Sequence, residues 1–189
     1  MSISNTLSRK FGPVRQLAFV PQNFNDALRY WTKVMGVGPF FYLEHIPLTD
    51  VHYRGHAEGL DCSAALAVWD GLEIEILRQH DRRPSVYDEW LQGGRSGVHH
   101  IRLDCDDLEA ARAQCLELGG EVAQEATMPA GGHYIMVDLH QGGPLIEFAC
   151  LQPEFVEVFA LIRKSAQEWD GCHPVRRLPG DSTSVLPVL

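Results

Sequence analysis

A chain of 189 residues that is 45% hydrophobic and 22% charged has the composition of one packed globular unit, not of a disordered segment. A formal net charge of −9 and the absence of any Lys/Arg block argue against a nucleic-acid partner, because phosphate binding needs a basic face. No apolar run approaches the roughly 20 residues that span a bilayer, and the start MSISNTLSRKFGPV has no apolar leader segment. A soluble, cytoplasmic protein without membrane partners is therefore expected. Its five cysteines, an odd number with no Cys-x-x-Cys pair, read as reduced thiols.

Residues 1–13 read as an N-terminal arm. The stretch QLAFVPQNFNDALRYWTKVMG (16–36) then reads as a strand, a turn and an amphipathic helix, with Phe24, Ala27, Leu28, Trp31 and Val34 as its apolar stripe and Gly36 as its C-cap. Middle strands are predicted at 40–48, 52–58 and 63–70, and a last strand, GLEIEILRQ, at 71–79. PSVYDEWLQGG (84–94) is a linker in which Ser85 and Asp88 can cap a short helix. HIRLDCDDLEAARAQCLELGG (100–120) repeats the opening pattern of strand, acidic turn, helix and glycine, with Leu108, Ala111, Cys115 and Leu118 as the stripe. One constant shift lays Gln16 on His100, Ala27 on Ala111 and Gly36 on Gly120.

Strands at 121–128 and 133–139 follow, and GPLIEFACLQ (143–152) is a second apolar strand interrupted by glutamate, equivalent to that around Glu75. The first half is longer by about a dozen residues between its helix and its last strand. The predicted fold is therefore α+β, two βαβββ modules at 14–83 and 97–151 joined by a linker with a short helix at 84–96. An amphipathic C-terminal helix at 152–171, with the stripe Phe155, Phe159, Ile162, Ala166 and Trp169, and a Pro/Ser-containing tail at 172–189 complete the chain. The tail reads as flexible or as an arm laid over a neighbour.

Four polar residues occupy equivalent points of the repeat: Gln16 and His100 in the first strands, Glu75 and Glu147 in the last. Strand alternation puts Gln16 with Ala18 and Val20, and His100 with Arg102 and Asp104. A carboxylate inside Leu-Ile-Glu-Phe-Ala is costly to bury unless something compensates it, and a divalent cation would. Two carboxylates, an imidazole and an amide oxygen suit a hard-to-borderline metal. Taken singly, the glutamates read as edge-strand surface residues, and His99-His100 as one surface and one core histidine. Their joint placement in the repeat is what favours a site.

This pattern resembles the vicinal oxygen chelate superfamily, which includes glyoxalase I, methylmalonyl-CoA epimerase, extradiol dioxygenases and bleomycin-resistance proteins. GVHHIRLD (97–104) resembles the opening of the family's second module, and VPQNFNDALRYWTKVMGVGPF the turn and helix of its first. The resemblance implies a cup-shaped mixed sheet, one divalent ion (zinc first, with nickel, cobalt, manganese and iron as alternatives) held by Gln16, Glu75, His100 and Glu147, and a homodimer. It implies an isomerase, epimerase or lyase acting next to a carbonyl through a metal-stabilised enolate, on a small carbonyl or acyl substrate, with Glu147 as first proton carrier and Glu75 opposite. Arg102, His52, Tyr53, Arg54, His133 and Tyr134 are candidate substrate contacts. Ring-cleaving dioxygenase chemistry fits poorly, since Gln16 replaces a histidine and Glu75 fills an open position. Glutathione-dependent glyoxalase I shares the ligand order but has an arginine shortly after its first ligand, where this chain has Leu17-Ala18-Phe19-Val20-Pro21. A non-catalytic module of the bleomycin-resistance type is the third reading.

Overall fold

The computed structural model describes residues 6–189. The first half contains α1 (Leu7–Phe11), β1 (Gln16–Phe19), α2 (Phe24–Arg29), β2 (Phe40–Leu43), β3 (Thr49–Tyr53), β4 (His56–Ala57), β5 (Cys62–Trp69) and β6 (Leu72–Gln79). After α3 (Val86–Gln92), the second half contains β7 (His100–Asp104), α4 (Leu108–Glu117), β8 (Glu121–Thr127), β9 (His133–Asp138) and β10 (Leu145–Cys150). Helix α5 (Pro153–Gln167) and strand β11 (Val175–Arg177) close the chain.

All strands form one mixed sheet in the order β11-β2-β5-β6-β1-β7-β10-β9-β8-β3-β4. In each half the first strand lies parallel to the last, β1 on β6 and β7 on β10. The halves join where β1 runs antiparallel to β7. The four strands predicted to carry the site, β6, β1, β7 and β10, are thus consecutive at the centre of the sheet. The repeat extends to the helix caps. Asn23 accepts a hydrogen bond from the Asp26 amide at the start of α2, and Asp107 from the Ala110 amide at the start of α4.

One face of the sheet is covered by helices. Helix α2 packs Phe24 and Leu28 on Ala65, Ala67, Ile74 and Ile76, and α4 packs Ala111 and Cys115 on Leu103, Ile135, Val137 and Phe148. The opposite face carries small residues, among them Ala18, Ala64, Ala123 and Ala149, and leaves room for the site. Helix α5 crosses this face over Leu66 and Val68 with Phe159 and Ile162. Strand β5 is consequently covered on both sides, which is why its sequence is a continuous apolar run without alternation.

Four expectations are corrected. The segment around 52–58 is not a middle strand of the first module: β3 and β4 form a hairpin that leaves that module, and β3 pairs antiparallel with β8 at the far edge of the second. The strand expected at 40–48 ends at Leu43. Helix α2 passes into a wider π turn over Tyr30–Val34, so Trp31 and Thr32 are buried while Val34 faces solvent. The tail is no free arm, since β11 pairs in parallel with β2 and Leu186 and Leu189 pack against the α2 core.

Candidate metal centre

His100 opens β7 and is fully buried, and β6 and β10 bring Glu75 and Glu147 to its Nε2 atom. The nearest carboxylate oxygens lie 3.5 Å away for Glu75 and 2.8 Å for Glu147. The glutamate oxygens and an imidazole nitrogen all lie within 4.8 Å of one another, close enough to share one cation. Despite that proximity, Nε2 is a buried nitrogen without an aligned hydrogen bond.

The hydrogen-bond chain behind His100 explains this. His99 is also fully buried, so neither of the two adjacent histidines lies at the surface. Its Nε2 lies 3.2 Å from the Val86 carbonyl, which can only accept, so His99 carries its proton there and presents a lone pair at Nδ1. His100 Nδ1 lies 2.9 Å from that lone pair and must donate to it. The remaining His100 nitrogen, Nε2, then faces two carboxylates with a lone pair of its own when the ring is neutral. Such an arrangement needs either a proton or a metal cation between the lone pair and the carboxylates. Tyr87 and Trp90 of α3 hold the His99 ring, with ring centroids 5.3 and 5.1 Å away.

The electrostatics agree. Burial holds the His99 imidazole down at about 3, with His100 beside it as a lesser cause. Burial alone would push His100 down as well, but the adjacent Glu147 and Glu75 hold its imidazolium up at about 9.

Gln16 lies in the same cavity wall and is buried, but its Oε1 accepts a hydrogen bond from the Arg102 guanidinium. Its amide oxygen is therefore engaged by Arg102. Arg102 itself is 4% exposed. It reaches Glu73 at 2.6 Å and Asp104 at 2.9 Å and stacks over Phe159 at 4.8 Å.

Glu75, Glu147, Gln16 and Arg102 border a cavity with about 690 Å3 of space between its lining atoms, part of it open to solvent. The rest of the lining is mainly apolar, including Leu48, Leu77, Met128 and Met136, with Phe155 and Phe159 of α5 forming one side. Tyr134 also reaches it, and its hydroxyl accepts from the Gln124 amide at 3.0 Å. Tyr87, which sequence reasoning did not single out, is a further lining residue; burial keeps both phenols neutral.

The other candidates stand elsewhere. His52 and His133 border a separate cleft with Arg112 and Glu125. Tyr53 donates to Glu89 at 2.8 Å, and Arg54 bridges Glu89 and Glu121, fastening the β3–β4 hairpin to α3 and β8.

Residues 15–137 match the Glyoxalase/Bleomycin resistance protein/Dioxygenase superfamily. This match covers well over half of the chain, which belongs to that superfamily. Its members include epimerases and dioxygenases and typically bind a metal ion. Among solved structures, a hypothetical protein from Bacillus halodurans C-125 aligns at 16% identity with a TM-score of 0.56, over 74% of this chain and 94% of its own. Methylmalonyl-CoA epimerase from Mycobacterium tuberculosis aligns at 14% identity with a TM-score of 0.53, over 78% and 93%. At these identities the likeness establishes the fold and leaves the activity to the site. No curated protein matches the sequence. Among the described residues no helix is long and apolar enough to cross a membrane, and the five cysteines are free thiols.

Proposed function

We propose that this chain is a metal-dependent isomerase, epimerase or lyase that moves a proton on a carbon next to a carbonyl in a small carbonyl or acyl substrate. The observation that carries this reading is the buried His100 Nε2 atom, which faces Glu75 and Glu147 without an aligned hydrogen bond. The donor set fits a borderline divalent cation such as zinc: one imidazole nitrogen, two carboxylates, and the Gln16 amide oxygen once it is released from Arg102. His99 fixes the His100 tautomer that such a role requires. When bound, the cation would polarise the substrate carbonyl and lower the cost of negative charge on its oxygen.

The remaining work falls to the protein. Glu147, at the cavity wall, takes the proton from the carbon and returns it to the same or the neighbouring carbon. Glu75 stands opposite, able to serve the other face of that carbon. The apolar lining excludes water, which strengthens each electrostatic contact at the reacting atoms. Among the described residues Arg102 is the one cationic side chain in the lining, and Glu73 and Asp104 occupy it even with Gln16 turned away. That saturation favours a substrate that places neutral, largely apolar groups in the cavity, and disfavours glutathione there.

The test is elemental analysis of protein purified without chelators, followed by solvent deuterium incorporation into 2-oxo, 2-hydroxyacyl and acyl-CoA substrates. A divalent ion that His100→Ala removes from the chain, and exchange that Glu147→Gln abolishes while retaining metal, would support the reading. Absence of bound metal after reconstitution would overturn it and leave a small-molecule-binding module. Exchange undiminished by Glu147→Gln would remove Glu147 from the proton-carrying role.

A further inference from the structure

A second group of imidazoles and a carboxylate lies apart from the buried centre. His45 follows β2, Asp61 precedes β5, and His80 follows β6, so three distant chain segments meet at one end of the first module. One ligand atom from each lies within 4.8 Å of the others. His45 Nδ1 is 2.6 Å from Asp61 Oδ1, and the His45 and His80 rings face each other at 4.4 Å with a 33° tilt. Neither histidine lines the main cavity; the rings converge beside Ser63, which points to the opposite face of β5 from Cys62 and Ala64.

The backbone holds these groups in place before any ion arrives. His45 adopts a left-handed conformation (φ 48°), its amide donates to Ser63 Oγ at 3.0 Å, and the next amide, Ile46, donates to the Cys62 carbonyl. The His80 amide donates to the Asp61 carbonyl at 2.8 Å, and His80 Nε2 sits 2.6 Å from Ser63 Oγ. Ser63 therefore touches both histidines and is itself fully buried. With His45 Nδ1–H donating to Asp61, the other nitrogen of that ring keeps its lone pair. If His80 donates from Nε2 to Ser63, its Nδ1 lone pair is likewise available.

We propose that His45, Asp61 and His80 form a second metal site, selective for a borderline divalent transition ion of the zinc, nickel or copper kind. Two imidazoles and one carboxylate supply nitrogen-rich ligation that magnesium and calcium do not favour. His45 and Asp61 are open to solvent, so water completes the coordination and the ion exchanges readily. Nothing in the proposal depends on the activity assigned to the buried centre.

Zinc and nickel stoichiometry, measured by equilibrium dialysis, separates the two sites. In the His100→Ala/Glu147→Ala background, which removes the buried ligands, about one ion per chain should still bind. Adding His45→Gln and His80→Gln should weaken that binding by at least about 100-fold and remove the zinc-dependent rise in Tm. Should that background fail to fold, His45→Gln/His80→Gln in the parent chain should lower zinc uptake by one ion per chain. Zinc uptake unchanged by these glutamines overturns the proposal, as does uptake in which magnesium competes equally. A parent chain whose bound zinc is lost with His45 and His80 but kept without His100 and Glu147 would support the second site and overturn the buried one.

Discussion

Glu73 and Glu75 sit two residues apart on one face of β6, yet the structure treats them in opposite ways. Glu73 meets Arg102 at 2.6 Å and Arg163 at 3.3 Å, both permanently charged. Burial raises its carboxyl pKa and Arg102 pulls it back down, a balance internal to the protein. Glu75 meets an imidazole and, across it, a second glutamate. Its cluster carries two carboxylates against a ring whose charge depends on a proton. The compensated carboxylate holds the sheet seam together, whereas the uncompensated pair leaves a demand for positive charge that a ligand can fill. Burial of an acid in a strand does not distinguish these roles; the permanence of its partner's charge does.

The largest effect should come from removing that permanence. Arg102→Leu leaves the Gln16 amide without its partner and buried Glu73 with only the half-exposed Arg163, and should destabilise the fold by about 3–5 kcal/mol in urea unfolding. Arg102→Leu with Glu73→Leu should recover most of the loss. A loss well under about 1 kcal/mol for the single variant would erase the contrast.

Next comes pH, read on the metal-free protein. His100 titrates at about 9 when folded and near 6.5 when unfolded, so its contribution is complete below pH 6.5 and disappears as pH rises through 9. His99 has the opposite sign: held at about 3 when folded, it contributes above pH 6.5 and loses that contribution as pH falls towards 3. Tm of the chelator-treated protein should therefore peak near pH 6.5, and saturating zinc should abolish the alkaline decline. Zinc uptake between those values should release a proton from His100, measurable in a weakly buffered solution. A Tm flat from pH 6 to pH 10 would mean that His100 is not held charged by the two glutamates.

The smallest effect belongs to the outer member of the compensated cluster. Arg163 is half-exposed, and Arg163→Ala should cost no more than about 1 kcal/mol in the same urea assay.

Much of this centre was legible in the sequence because period and repeat act together. Alternation placed Glu75 and Glu147 on the site face, and the matched openings at Gln16 and His100 made the first strands equivalent. The parallel pairing of first with last strand then put all four on adjacent strands. The partners of these residues were not legible. Nothing local says that Arg102 takes the Gln16 amide, because that contact depends on the β1–β7 register. The adjacent histidines hinted at a relay, yet the acceptor that orders it, the Val86 carbonyl, comes from the linker helix. His45, Asp61 and His80 escaped notice because they stand at strand ends, where no period operates. The destination of the β3–β4 hairpin was equally hidden: a short strand with a bulge carries little register information of its own.

The two edges of the sheet have a consequence for how the chain reaches this state. The β3–β4 hairpin leaves the first half to complete the far edge of the second, and β11 returns from near the C-terminus to complete the edge at β2. Both closures join segments distant in sequence, so each must overcome a large loop-closure entropy before its contacts form. On a ribosome the first half would emerge with β2 unpaired on one side and its hairpin without a partner. Those edges are finished only after the second half and α5 have been made. Edge closure is therefore late, and a nascent chain stalled before β8 would leave the edges of β2 and β3, among others, for chaperones to cover.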